Sequence, residues 1–273
     1  MEKISDAVYV ETGFNGCNVG FVVTGEGVVM IDTPQIPSDA IDWRDEIKKY
    51  GPVRYVINTE PHIDHFTGNT FFGGTIIGHE GTRDAILTAS LEQLKERMKE
   101  IAPESLSLLE GFSFRPPDIT LSERLTLYLG EHTFQLMNMP GHTPFQTPVY
   151  IPEEGVVFTS DNLIGQGHAF FPPGVLPYDW MDSLRRMKEL KAEVFVPGHG
   201  TICEQGYLDE MIAQIQVWLD RVKAALDEGM SLEEAQDKVT FQDKYTEPSG
   251  PTDMELMFQR ISIATLYDLL KDG

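Results

Sequence analysis

The chain has 273 residues, 41% of them apolar, enough for one large core or two modest ones at the usual ~100–200 residues per domain. Its 43 acidic against 21 basic residues give a formal charge of −22, which repels phosphate backbones and anionic lipid surfaces and so speaks against nucleic acid and membranes as partners. Cys17 and Cys203 form no CxxC pattern, MEKISDAVYV lacks the signal-peptide pattern, and no stretch approaches the ~18 apolar residues of a membrane span; two reduced thiols in a cytoplasmic protein acting on a small molecule are the expectation.

From the N-terminus, short β-branched runs bounded by Gly, Pro, Asp or Asn predict strands at 7–10, 19–23 and 28–32. A helix from Asp39 to Tyr50, closed by Gly51, is followed by strands at 54–58 and 75–78 and a helix over about Glu80 to Ile101, whose N-terminus His79 caps. Strands return at 125–129, 133–137, 148–151 and 156–160; the tight turn at Glu131 makes the first two a hairpin, with His132 solvated in it. A helix over Trp180 to Lys191, with Leu184, Met187 and Leu190 at helical spacing, precedes a strand at 194–197.

Beyond Tyr207 the strands stop, and Leu208, Met211, Ile215, Leu219, Val222 and Leu226 mark one apolar helical face that ends at Gly229. Ser231 with Glu234, and Thr252 with Glu255, fit the reciprocal capping pattern and start two further helices. The last carries Met254, Met257, Phe258, Ile261 and Leu269, a stripe that reads as core packing, and Thr240 to Pro251 reads as a connector or a loop over the site. The pattern predicts an α/β core over residues 1–204 with a helical insert at about 80–117, and a helical extension over 205–273 packed on that core.

The chemistry concentrates in NTEPHIDHF, residues 58–66, where Glu60, His62, Asp64 and His65 directly follow a predicted strand, the place where an α/β sheet exposes strand ends to ligands. Imidazole and carboxylate suit zinc, iron or manganese, and one such loop can hold parts of two metal sites. MPGHT (139–143), FTSDN (158–162) and VPGHG (196–200) each place a potential ligand just after an apolar run, so His142, Asp161 and His199 would converge on the same loop from three strand ends. Gly141, Gly198 and Gly200 would let the backbone turn sharply there.

In this order the residues resemble the motif series of the metallo-β-lactamase fold superfamily, His-x-His-x-Asp-His, then His, Asp and His. Here it reads Glu60-x-His62-x-Asp64-His65, then His142, Asp161 and His199, and the early NVGFVVTGEGVVMIDT looks like the family's opening strands, ending in Asp32. The resemblance covers roughly residues 7–200 and implies a four-layer αββα sandwich, here with a helical C-terminal tail. It further implies two divalent metal ions, zinc first with iron or manganese as alternatives. Glu60, His62 and His142 would surround the first, Asp64, His65 and His199 the second, and Asp161 would bridge them.

Glu60 departs from the family pattern, and three readings stand open: a true ligand, a side chain turned away so that only the second site fills, or a general base beside a single metal. As a ligand it would bring the carboxylates to three and offset most of the +4 of two divalent ions. The family implies a metal-dependent hydrolase in which a metal-bound hydroxide attacks an ester, thioester, lactone or amide carbonyl, with Asp64 able to relay a proton. Iron-dependent oxygen or sulfur chemistry is the alternative, although diiron relatives place their glutamate at the second motif position, where this chain keeps His62. A β-lactamase or a non-catalytic binding protein ranks lower. His168, Phe170 and Tyr178, on the loop after Asp161, are the candidate substrate contacts, and the apolar insert, with Met98, Phe112 and Phe114, would form another wall or a homodimer contact.

Overall fold

The β-branched runs pair into two sheets in the computed structural model, which describes residues 1–241 and 252–272. β1 (Glu2–Lys3), β2 (Val8–Glu11), β3 (Val19–Thr24), β4 (Gly27–Ile31), β5 (Val53–Asn58), β6 (Thr75–His79) and β7 (Ile119–Leu121) lie in that order in the first sheet. Neighbours are antiparallel from β1 to β4 and parallel from β4 to β7. The second sheet runs β12 (Val194–Gly200), β11 (Val156–Gly165), β10 (Val149–Ile151), β9 (His132–Met137), β8 (Arg124–Leu129), with β11 and β12 parallel and the other pairs antiparallel.

Period-two alternation turns one face of each sheet inward. Val8, Val22, Ile31, Ile57 and Ile77 of the first sheet meet Phe134, Leu136, Val149, Val156, Phe158 and Val196 of the second in one buried cluster. The outer face of the first sheet is covered by α1 (Pro37–Ile47), which buries Ala40, Trp43 and Ile47 against Phe21, Met30 and Ile76. The outer face of the second sheet carries α5 (Pro177–Lys188) and α6 (Gly206–Asp227), whose Trp180, Leu184, Met211, Ile215 and Trp218 pack with Phe195. The result is a four-layer αββα sandwich. No helix among the described residues is long and apolar enough to cross a membrane.

Several elements depart from the sequence-based expectation. α1 starts at Pro37 because proline's fixed φ and missing N–H suit a first helical turn. The single helix expected over 80–101 is two, α3 (Glu80–Thr88) and α4 (Leu91–Ile101): Ala89 and Ser90 are extended, and the Ser90 hydroxyl accepts the Gln93 N–H, opening a second helix. His79 caps α3 by accepting the Gly81 N–H. α4 and a 3-10 turn over Pro103–Leu109 share a small apolar cluster of Leu94, Met98, Ala102 and Leu109, onto which Phe114 and Ile63 pack. The insert thereby leans on the segment that carries the candidate ligands.

His132 is buried, not solvated: its Nε2 lies 2.8 Å from Glu154 Oε1, in the turn that joins β10 to β11. Between α6 and the final helix, α7 (Leu232–Lys238) opens on the capping box of Ser231 and Glu234, and Thr252 and Glu255 exchange the same pair of bonds ahead of α8 (Asp253–Asp272). The stripe expected to pack in the core faces outward, with Met254 62%, Met257 50% and Phe258 39% exposed. α8 buries Ile263, Leu266 and Tyr267 instead, because it rests on α6 and α7 by a face rotated from that stripe. The stretch read as a loop or connector, Thr240 to Pro251, lies outside the described residues beyond Phe241.

Candidate metal centre

Residues of both sheets meet at one rim of the sandwich. β4 delivers Asp32 in the left-handed region, at φ 55°, a conformation that Asp tolerates better than most side chains. Its carboxylate accepts the Thr59 N–H at 2.8 Å, the Thr59 hydroxyl at 2.5 Å and His65 Nδ1–H at 2.9 Å. β5 runs into Thr59 and Glu60, and the chain then makes a one-turn helix, α2 (Ile63–Phe66), that places Asp64 and His65. The reciprocal amides of Asn58 and Asn69 pin this turn, with Asn58 Nδ2 also donating to the His65 carbonyl.

The second sheet contributes differently from the expected strand ends. Asp161 sits inside β11, which bulges between Phe158 and Ile164 with Ser160 at φ 55°, and the bulge re-aims the carboxylate at the rim. His199 lies within β12, paired with Ile164. Of the three glycines, only Gly200 adopts a positive φ, 82°. Gly198 serves close approach: a Cβ there would stand 1.8 Å from Asp161 Oδ1.

All seven expected ligands come together. Glu60, His62, His142 and Asp161 offer atoms within 4.8 Å of one another, as do Asp64, His65 and His199. His65 Nε2 is 3.2 Å from both Glu60 Oε1 and Asp161 Oδ1. Asp161 Oδ2 is 3.5 Å from His142 Nε2 and 3.4 Å from His199 Nε2, so its two oxygens touch both groups. His62 Nδ1 lies 2.7 Å from Glu60 Oε1, and Asp64 Oδ2 is 3.3 Å from His199 Nε2.

The ring orientations select one tautomer for three of the four histidines. Nδ1–H of His142 donates to the Phe170 carbonyl, that of His199 to the Gly16 carbonyl, each at 3.0 Å, and that of His65 to Asp32. Each Nε2 is thereby aimed into the cluster, so that once its proton is lost the lone pair points as in a metal-bound imidazole.

Charge is balanced within the cluster. Burial pushes the Asp161 carboxyl up, yet His199 and His65 outweigh it and hold the group well below its usual range. Burial opposes protonation of His65 and His199, but the carboxylates of Glu60, Asp161 and Asp32 around the first, and of Asp161 and Asp64 around the second, hold both well above the ordinary value. His62, pressed down by burial and up by Glu60, is raised to about 9, whereas burial lowers His142. Protons thus occupy positions that cations can take.

A third grouping, Cys17, Asp32 and His65, supports the centre from behind. Cys17 Sγ–H donates to the Asp64 carbonyl, and burial pushes its thiol up to about 12, while Asp32 is fully engaged as an acceptor. Both cysteines are free and buried.

The substrate-contact candidates divide. Phe170 touches the centre, its ring 5.9 Å from His142 and 4.8 Å from Phe258 of α8. His168 lies near Glu255 at the start of α8, a carboxyl held down chiefly by the Thr252 capping bonds. Tyr178 is 57% exposed on α5 and is not brought to the cluster. Sequence reasoning missed Gln146, fully buried beside Glu60, and Asn162, whose Oδ1 accepts the His142 N–H. The only signal was a polar side chain three or four residues from a ligand, or next to one.

The sequence profile of the metallo-beta-lactamase superfamily matches residues 12–199. The chain is similar to a beta-lactamase-like protein 2 homolog of Caenorhabditis elegans, 23% identical over 227 residues, 81% of this chain and 68% of that one. It is also similar to a hydroxyacylglutathione hydrolase of Erythrobacter litoralis, 26% identical over 184 residues, 66% of this chain and 61%, less than two thirds, of that protein. A solved metallo-beta-lactamase family protein from Thermus thermophilus has a TM-score of 0.71 at 16% identity, covering 97% of this chain and 93% of that one, a likeness of fold. With seven candidate ligands inside the matched span and the four-layer sandwich around them, the chain belongs to the metallo-beta-lactamase superfamily.

Proposed function

We propose that this protein is a metal-dependent hydrolase that binds two divalent cations and cleaves a small ester, thioester, lactone or amide. Glu60, His62 and His142 would hold one cation, Asp64, His65 and His199 the other, with Asp161 shared. The observation that carries this reading is a set of three buried atoms, Glu60 Oε1, His65 Nε2 and Asp161 Oδ1, in which both oxygens crowd His65 Nε2 at 3.2 Å without forming a hydrogen bond of good geometry. Buried polar atoms left so cost ~1–3 kcal/mol each, and two cations held in this way would satisfy all three. Four imidazoles and three carboxylates suit zinc, manganese or iron. Such cations, when bound, acidify water and polarise a carbonyl.

The chain's own residues do the rest. Asp64 is the most solvent-open of the three carboxylates, at 15% against 0% for Glu60 and 7% for Asp161, which supports a role in passing a proton to water when it is not fully committed as a ligand. Phe170 and Phe258 offer an apolar wall beside His142 for the non-reacting part of a substrate. The relative named for hydrolysing hydroxyacylglutathione supports a carbonyl substrate.

The test is metal analysis of protein purified without chelators, followed by a panel of lactones, thioesters and β-lactams. About two equivalents of zinc or manganese with turnover of a panel member are expected; iron-loaded protein that consumes dioxygen overturns the reading in favour of redox chemistry. Glu60→Ala should lose one metal and retain the other, and unchanged content would remove Glu60 from the ligand set.

Metal uptake should also release protons. With His62 raised to about 9, its ring is protonated at pH 7.5 in the metal-free protein, and a cation must displace that proton. Apparent affinity for the first metal is therefore expected to rise with pH up to about 9 and level off above it. Titration in two buffers of different ionisation enthalpy counts the protons, and a pH-independent affinity between 7 and 9 contradicts the assignment of His62.

A further inference from the structure

A carboxylate ligand has two oxygens, and what holds the second decides how the first is presented. We infer that Gln146 is a positioning residue of the metal centre, its side-chain amide clamping Glu60 Oε2 so that Oε1 alone faces the cations. The inference rests on the reading of Glu60 as a ligand given above.

Both side chains are fully buried, and Gln146 Nε2 reaches Glu60 Oε2 at 2.5 Å while Glu60 Oε1 faces His62 and His65. A carboxylate only accepts hydrogen bonds, so the amide nitrogen must be the atom turned to it. The backbone fixes this distance from both sides. The Thr147 N–H donates to the Thr59 carbonyl at 2.7 Å, tying the residue after Gln146 to the residue before Glu60. The Met139 N–H donates to the Gln146 carbonyl at 2.9 Å, closing the loop that also carries His142. One loop therefore supplies a candidate ligand and the clamp for another.

The chemistry of the clamp also fits. A lysine or arginine in this position would orient Glu60 but neutralise the charge it brings to a cation. A neutral amide orients the carboxylate and leaves that charge in place. With Oε2 engaged by the amide, Glu60 would offer a cation chiefly Oε1, the single donor atom that an imidazole would offer.

Gln146→Met keeps length and approximate volume and removes the donor. Zinc is titrated into the metal-free wild type, Gln146→Met, Glu60→Ala and the double variant, with a chelator competing. Wild type should bind two equivalents; in Gln146→Met the first-site affinity should fall about 10- to 100-fold, as is usual when an outer hydrogen-bond partner of a ligand is lost, while the second site holds. In the Glu60→Ala background the Met substitution should change nothing further. Two equivalents in Gln146→Met with affinities within twofold of wild type, or equal weakening of both sites, overturns the inference while the dinuclear reading stands. Fewer than two equivalents in wild type overturns both. Should Gln146→Met not fold, Gln146→Asn, which withdraws the amide by one methylene, must show the same selective loss.

Discussion

Asp161→Ala is expected to strip the centre of metal, leaving fewer than one equivalent per chain. The carboxylate lies 3.2 Å from His65 Nε2 with one oxygen and within 3.5 Å of His142 and His199 with the other, so its loss removes a donor from both groups. It also removes the anion that lets His65 and His199 sit together in a buried space. If the cations supply several kcal/mol of transition-state stabilisation, kcat/KM should fall by at least about 10³. Metal analysis and kinetics on the best panel substrate check this, and a variant that still holds two metals would show that Asp161 is not shared.

Trp180→Ala should give the largest loss of stability. Trp180 is the largest fully buried side chain, its Nε1–H donates to the Asn162 carbonyl at 3.0 Å, and its ring meets Phe171 at 5.5 Å and His142 at 5.7 Å. Emptying such a position costs about 3–5 kcal/mol, a drop in Tm on the order of 10 °C for a chain of this size. Because the ring backs the loop that bears His142, metal affinity at the first site should fall with it. Thermal denaturation with and without zinc measures both, and a change under about 1 kcal/mol would mean that the surrounding helices close over the gap.

Most strands were legible because β-branched runs of four or five residues bounded by Gly, Pro, Asp or Asn have few other uses, whereas the two- and three-residue β1 and β7 were too short to show; the seven clustered residues were legible because their order along the chain is distinctive. What stayed hidden depends on partners distant in sequence. VVFTSDN reads as a strand that stops at Ser160; only pairing with β12 shows that it bulges and continues through Asp161 to Gly165. His132 opens β9 directly after a hairpin turn, and nothing local announces that Glu154, 22 residues on, folds over it. The Met254, Met257 and Phe258 stripe has the periodicity of a core face, but the face that α6 and α7 cover is the one bearing Ile263, Leu266 and Tyr267. Gln146 was invisible because a glutamine next to a phenylalanine carries no pattern. Its place emerges when the Thr147–Thr59 backbone bond brings the two loops together.

The candidate ligands divide by sheet: Glu60, His62, Asp64 and His65 follow a strand of the first, while Asp161 and His199 lie in strands of the second and His142 in the loop that joins two of its strands. Any ion held among them is consequently a rivet across the seam of the sandwich. It joins two layers that otherwise adhere at that rim through contacts such as the Asn18 side chain on the Pro197 and Gly200 carbonyls. An ion bound there would stabilise the folded state against parting of this rim, so the stability of the edge would rise with free metal concentration.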